Sequence, residues 1–209
     1  ALLESTQMTG STGQEIHVLL ETQRLTLRRF TAADAGHLYD LDSDPEVMRY
    51  LSGGAVTPRE VIEAEILPLF TSYDERLPGF GFWAAVDGPS GGFLGWFSFR
   101  PRNLAEPREA VLGFRLRQAA WGQGYATEGV RALIRLGFTE LGVERVVATT
   151  YEDNLASRRV MEKADMTLTR RFRMTVADFE DVDTYLPGAD EPWAGDDLEY
   201  SLQKTDWIE

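Results

Sequence analysis

The sequence predicts an α/β (α+β) domain: a mixed, mostly antiparallel sheet flanked by helices. Three observations predict it. Strand-like segments crowd the first half, while the second half runs strand, helix, strand, helix, strand. One long helix in that second half carries a continuous apolar face of Val130, Leu133, Ile134, Gly137, Phe138 and Leu141. A chain of 209 residues, 43% of them hydrophobic, is enough for one full core.

Taken in order, residues 1–19 read as a loose leader, polar and rich in Gly, Ser and Thr as far as Glu15, and residues 20–209 as a single domain. From Arg24 to Phe30, Leu25 and Leu27 alternate with polar neighbours, as in a half-buried strand. Asp34 is placed to cap a short helix reaching Leu41, and Asp44-Pro45 to open another reaching Tyr50. Thr57-Pro58-Arg59-Glu60 has the form of a capping box with proline at the first helical position. Ile62, Ile66, Phe70 and Tyr73 follow at helical spacing, and Pro68 predicts a kink among them. Strands from Gly81 to Asp87 and Phe93 to Arg100 flank Gly88-Pro-Ser-Gly-Gly92. That loop matches the Gly-x-Ser-x-Gly of hydrolases, but a nucleophile elbow joins a strand to a helix, so a hairpin turn is the better reading. A strand from Ala110 to Leu116 leads into a glycine loop and the long helix, which Gly142 ends. A strand from Arg145 to Thr150, a helix opening near Asn154, a strand-like Met166 to Met174, an acidic loop at 178–199 and a closing strand from Leu198 to Gln203 complete the chain.

Charge and composition exclude several classes. Lys and Arg number 21 against 34 Asp and Glu, a formal charge of −13, which argues against binding nucleic acid. The longest near-continuous apolar stretch, Phe80 to Val86, falls far short of the ~20 residues a bilayer span requires. With no cysteine there is no disulfide, no Cys-rich zinc site and no thiol nucleophile, and a reducing cytoplasm is the simplest location. His17 and His37, the only histidines, show no metal-ligand spacing, so no metal is expected. Asp178 to Glu199 holds nine acids and no Lys or Arg. Two readings of that run stand: a solvated loop, or a rim that attracts a cationic acceptor.

The chemistry concentrates in Leu116-Arg-Gln-Ala-Ala-Trp-Gly-Gln-Gly-Tyr-Ala-Thr-Glu128. A buried strand ends, two glycines turn the backbone, and a helix starts at once. Amides at a helix start have no intrahelical acceptor, and the helix dipole adds positive potential, so such a loop suits a phosphate or pyrophosphate. The competing reading is that Gly122 and Gly124 serve only the turn. A P-loop needs Gly-Lys-Ser/Thr, whereas Tyr125 follows Gly124. A Rossmann fingerprint fails as well, because Thr127 fills the third glycine position and Glu144 precedes its strand.

Trp121-Gly-Gln-Gly-Tyr-Ala126, followed by Asn154-x-x-Ser157-x-x-Val-Met-Glu-Lys163, resembles the acetyl-CoA signature of GNAT-superfamily N-acetyltransferases, in particular the branch containing ribosomal-protein N-terminal acetyltransferases. The resemblance covers Leu20 to Met174, including the opening strand Glu21-Thr-Gln-Arg-Leu-Thr-Leu-Arg28. It implies a sheet splayed between its fourth and fifth strands. It implies that Trp121, Gly122, Gln123, Gly124, Tyr125, Ala126 and Thr127 hold the coenzyme pyrophosphate through backbone amides, and that Phe114, Arg115 and Leu116 pair with the pantetheine arm like an added strand. Asn154 is implied to bond that arm, Ser157 to lie near the thioester sulfur, and Arg158 with Arg159 to meet the adenosine phosphates.

The sequence departs from the family pattern in places. Met161 stands where many relatives place the tyrosine that protonates the thiolate, which leaves Ser157 or water as acid. Val111 stands where relatives often carry a glutamate base, and Asp165 replaces a common glycine. Glu109, two residues from Val111 on the same strand face, is the substitute base, against the plainer reading of a strand-end carboxylate. Tyr50, Trp83 and Trp96 are the candidates for the acceptor pocket, against a plain core role. Glu128, one turn into the long helix, reads as a carboxylate favouring the dipole. An amine attacks a thioester only when neutral, and a free α-amine has a pKa of about 8. With no cysteine and no credible serine–histidine pair, the implied reaction is direct attack by a primary amine on acetyl-CoA in a ternary complex, by a monomer or homodimer. The competing class is a non-catalytic acyl-CoA-binding sensor or structural module.

Overall fold

The computed structural model describes residues 7–9, 15–73, 77–173 and 195–208. Among the described residues, nine strands form one sheet: β1 (Gln7–Thr9), β2 (Glu15–Glu21), β3 (Leu25–Arg28), β4 (Gly81–Asp87), β5 (Phe93–Pro101), β6 (Glu109–Leu116), β7 (Arg145–Tyr151), β8 (Thr167–Phe172) and β9 (Asp197–Gln203). Their spatial order is β1-β2-β3-β4-β5-β6-β7-β9-β8. All neighbours are antiparallel except β6 and β7. That parallel pair is joined through the long helix α5 (Tyr125–Thr139), as a parallel connection requires.

The helices cover both faces. On one, α5 buries Val130, Leu133, Ile134 and Phe138, the face its sequence predicts. It sits close because two positions facing β5 have no side chain. A Cβ on Gly137 would stand 2.6 Å from Phe99 Cζ, and one on Gly129 would run into the Phe97 ring. The other face carries α1 (Ala35–Asp42), α2 (Pro45–Met48), α3 (Arg59–Val61) and α4 (Leu67–Ser72). Phe70 of α4 stacks on Phe82 of β4 at 4.0 Å and meets Trp96 of β5 edge-on at 5.5 Å. Helix α6 (Leu155–Lys163) follows β7.

Several local expectations need correction. The N-terminal stretch is not all loose leader, since Gln7–Thr9 and Glu15–Glu21 are strands, and β2 extends the sheet beyond β3. The Thr57 capping box does not form: Pro58 itself is the N-cap residue, and no side chain caps the helix. Asp34 makes no cap bond to α1 but accepts two hydrogen bonds from Arg28, both 2.8 Å, and one from the Thr31 amide. Pro68 cannot donate to the carbonyl four residues back, and the helix meets it with a π-turn over Ile62–Ile66. The acidic loop proposed at 178–199 lies largely outside the described residues, and its last three positions, 197–199, belong to β9. The hairpin at 88–92 and the start of α6 at Asn154 stand as expected.

The feature that positions the site is a divergence. Strands β6 and β7 pair at Glu109↔Arg145, Ala110↔Val146 and Val111↔Val147, and no further. Beyond Val111, β6 pairs only with β5, and beyond Val147, β7 pairs only with β9. Counted from Leu25, these are the fourth and fifth strands of the sheet, where the splay was expected.

Candidate active site

Two cavities open into this wedge, an inner one of about 230 Å³ and an outer one of about 490 Å³. Tyr50, Phe114, Arg115, Asn154 and Ser157 line both, so the two meet at the divergence. The outer cavity reaches Trp121, Gly122, Gly124, Ala126 and Thr127; the inner one is walled by Phe82, Trp96, Ser98, Val111, Met161 and Asp197.

Gly122 and Gly124 adopt φ of 71° and 87°, left-handed values that a side chain would strain. Six successive amides, from Gly122 to Thr127, find no acceptor among the described residues; the first helical bond is Glu128 N–H to Gly124 O at 3.0 Å. A run of unpaired donors at the start of a 15-residue helix is a cradle for an anion. The cradle is held from outside by Arg24, just ahead of β3. Its guanidinium donates to Gln123 O at 2.8 Å and to Glu128 Oε2 at 2.7 Å, and lies 4.6 Å from the Tyr125 ring centre. The Thr22 hydroxyl donates to Glu128 Oε1 at 2.6 Å. Burial alone would raise the Glu128 carboxyl, but the hydrogen bonds from Thr22 and Arg24 outweigh it and hold the pKa below its ordinary value. Glu128 is therefore the anchor of this clasp and not a bystander on the dipole. Sequence reasoning missed Arg24, whose partners lie about a hundred residues away.

The exposed edge of β6 supplies the second element. Arg117 N–H bonds Leu94 O of β5 at 2.9 Å, so by alternation Arg115 faces β5 while Phe114 and Leu116 turn their backbone groups toward the opening. Leu116 O is taken by the Trp121 indole N–H at 2.7 Å. The Arg115 side chain is committed elsewhere: it forms a buried ion pair with Asp42 at 2.5 Å and lies 5.0 Å from the Trp96 ring centre.

At the mouth of α6, Asn154 Oδ1 accepts the Ser157 amide at 3.1 Å, and the Ser157 hydroxyl has no partner among the described residues. Tyr50 lies at the junction of the cavities, donating to Asp153 O at 3.2 Å, and Trp96 lines the inner one. Trp83, Glu109 and Arg158 do not border the cleft. Trp83 is fully buried on the opposite sheet face, 6.2 Å from His17, and its neighbour Phe82 lines the cavity instead. Glu109 lies at the closed end of the wedge, bound to Arg145 at 2.6 Å and Arg102 at 2.9 Å, and does not border the cleft. Arg158 turns to the Tyr200 hydroxyl at 3.2 Å and Glu152 O at 3.0 Å, while Arg159 and Lys163 border the outer cavity. Tyr125 points its hydroxyl at Asp87, 3.1 Å away, and contributes only backbone to the loop.

Comparison with known proteins gives the family. The model of the acetyltransferase (GNAT) domain matches residues 24–167. The FsC-acetyl coenzyme A-N(2)-transacetylase of Aspergillus fumigatus is 33% identical over 198 residues, covering 90% of this chain and 77% of that one. Among solved structures, a GNAT acetyltransferase from Bacillus anthracis superposes with a TM-score of 0.68 at 22% identity, covering 89% of this chain and 98% of its own. A ribosomal L7/L12 alpha-N-protein acetyltransferase in complex with coenzyme A gives 0.67 at 19%, covering 89% and 97%. These two likenesses concern the fold. The chain belongs to the GNAT family of acetyltransferases.

Proposed function

We propose that this acetyltransferase moves the acetyl group of acetyl-CoA to a primary amine by direct attack while both substrates are bound. The observation that carries the reading is the run of unpaired amides from Gly122 to Thr127, opening onto the outer cavity beside the free edge of β6. In this reading the amides hold the pyrophosphate, and Arg159 and Lys163, which border the same cavity, meet the adenosine phosphates. The backbone of Phe114 and Leu116 pairs with the amides of the pantetheine arm, and the carboxamide nitrogen of Asn154 adds a donor. The Trp121 indole must share or yield Leu116 O when the arm binds.

The Phe114 amide faces the opening and stabilises the oxyanion formed when the amine nitrogen bonds the thioester carbon. Collapse breaks the carbon–sulfur bond, and Ser157 hands a proton to the leaving thiolate. Met161, buried in the inner wall, cannot supply one. Holding both reactants in one wedge supplies much of the acceleration, since orientation alone is worth up to ~7–11 kcal/mol.

Calorimetric titration of acetyl-CoA, paired with thiol release across a panel of amines and peptide N-termini, tests the reading. The expected result is saturable binding and amine-dependent release, with Ser157→Ala lowering kcat about 10²-fold at unchanged coenzyme affinity. Binding without turnover of any amine would point instead to a non-catalytic acyl-CoA sensor. No binding would remove both.

A further inference from the structure

The wedge has two strand edges, that of β6 described above and that of β7. Glu152 N–H bonds Asp196 O at 3.0 Å just beyond one end of the β7–β9 ladder, and Lys204 N–H bonds Glu144 O at 2.8 Å just beyond the other. The register between them is unbroken, so by alternation Val146, Ala148 and Thr150 exchange their backbone bonds with β9, while Val147 and Thr149 turn theirs the other way. Val147 meets β6 there, but the β6–β7 register ends with it. Thr149 therefore presents both its N–H and its carbonyl to the wedge, and among the described residues neither has a partner. It lines the inner cavity and is exposed, although its strand lies in the interior of the sheet. A backbone donor and acceptor left open past the end of a ladder form an unfinished rung, ready for one more strand residue.

We propose that this rung holds the acceptor, and that the acceptors of this chain are the N-terminal residues of peptides, not simple alkylamines. The inference rests on the amine-acetylation reading above and names its acceptor. The chemistry of the rung selects the occupant. A donor and an acceptor on one strand residue are matched by the N–H and C=O of one residue of an extended chain, which exchanges two bonds with Thr149. An alkylamine has no carbonyl to offer, and a carboxylate has no N–H.

The space suits a chain end. At about 230 Å³, walled by Phe82, Trp96 and Met161, the inner cavity admits a residue or two and no folded surface. Gly113 lies two residues past the last paired residue of β6, as Thr149 does on β7. It adds no side chain to that space, and a Cβ there would stand 2.7 Å from Ser98 Oγ. A peptide on β7 also leaves the β6 edge to the coenzyme, so both reactants can be held at once, as direct attack requires.

The test measures kcat and KM at about pH 9, where a peptide α-amine of pKa about 8 is mostly neutral. The acceptors are trialaninamide, its two forms carrying one N-methyl group on an internal amide, and butylamine, compared per neutral amine. The wild type should use trialaninamide at least about tenfold more efficiently than butylamine, and one of the two methylations should cost about tenfold in kcat/KM by removing the N–H that Thr149 O accepts. Thr149→Pro removes the amide donor at an edge position where no ladder bond is lost. It should bind acetyl-CoA normally and raise KM for trialaninamide about tenfold with kcat little changed, the mark of lost binding and not of lost chemistry. With butylamine it should lose far less.

Equal use of butylamine and trialaninamide, or no loss from either methylation, overturns the inference, and both readouts stand even if the proline variant fails to fold. A folded proline variant with the wild-type KM for trialaninamide overturns it as well. A wild type that acetylates butylamine or other small amines but no peptide overturns it and leaves the acetyltransferase reading intact. A wild type that binds acetyl-CoA but acetylates no amine at all overturns that reading first, and this one with it.

Discussion

The two ends of β6 are built on opposite plans. At its start the strand is paired on both sides, and side chains reinforce the backbone. Glu109 binds Arg145 and Arg102, and both arginines reach on to Glu199 of β9, at 3.0 and 3.2 Å. Five residues further, β6 has no partner on the β7 side; β5 still pairs with it, and the Trp121 indole on Leu116 O and the Arg24 clasp beyond it support the open edge. Coenzyme binding by strand addition requires backbone groups left unpaired, and an unpaired strand must be pinned elsewhere. Glu109, two residues before the wedge opens, serves the pinning.

The largest stability effect should come from cutting the closed end. Glu199→Ala removes a nearly buried carboxylate that serves two arginines, with side-chain exposure of 7% against 26% and 48%. A fully buried pair costs 3–5 kcal/mol to break, and the partial exposure of the arginines reduces that to about 2 kcal/mol. Urea denaturation measures it, and calorimetry should find acetyl-CoA affinity unchanged in the folded fraction. A parallel loss of affinity would mean that the two ends are mechanically coupled and that the contrast is false.

The open end should respond the other way. Arg24→Ala takes the guanidinium from the Gln123 carbonyl and from Glu128, which keeps only the Thr22 hydroxyl and the residue-24 amide, and it should weaken acetyl-CoA about tenfold, or ~1.4 kcal/mol. Stability should change less, because the pair is partly exposed and such pairs are worth ~0–1 kcal/mol. The clasp also sets a pH dependence. Because folding lowers the Glu128 pKa below 4.5, its contribution is complete above that value and is lost as pH falls through the lowered folded value. Asp34 follows the same sign: burial raises its carboxyl, and the bonds from Arg28 more than reverse it. The difference in thermal stability between the wild type and Glu128→Gln should be constant from neutral pH to that point, then shrink with acid.

The open end was also the more legible in sequence. The turn glycines, the helix start and the Asn154 cap are decided by residues within a few positions of one another, and each could be placed from its own segment. What failed was long-range or depended on phase. Trp83 lies in the apolar run from Phe80 to Val86, where a strand buried on both faces shows no alternation, so nothing local says which residue faces the cleft. The Arg24–Glu128 contact joins segments 104 residues apart. Asp197 sits at the end of an acidic run that hides the start of β9, although Leu198, Tyr200 and Leu202 alternate with polar residues beyond it. Thr57 has the right neighbours for a capping box, but Pro58 takes the cap position, and packing leaves the threonine buried with its hydroxyl unbonded.

The smallest expected effect explains Asp165, the departure from the family pattern with no role in the cleft. It follows α6 with φ of 63°, the one non-glycine residue described with positive φ. Met166 N–H bonds Met161 O, and Asp165 N–H bonds Glu162 O, both at 3.1 Å, the 6→1 and 5→2 pair that closes a helix through a left-handed residue. Glycine occupies that position without strain, whereas an L-residue there costs roughly 1–2 kcal/mol, less for aspartate. The nearby Arg131 does not compensate, being 3.9 Å away with both side chains mostly exposed. Asp165→Gly should therefore stabilise the fold by about 0.5–1 kcal/mol after the extra entropy of glycine in the unfolded chain is subtracted. Acetyl-CoA affinity should stay unchanged, because the substitution leaves the Asn154–Ser157 end of α6 untouched. A destabilised variant in urea would mean that the Asp165 side chain does more for the helix end than its backbone strain takes away.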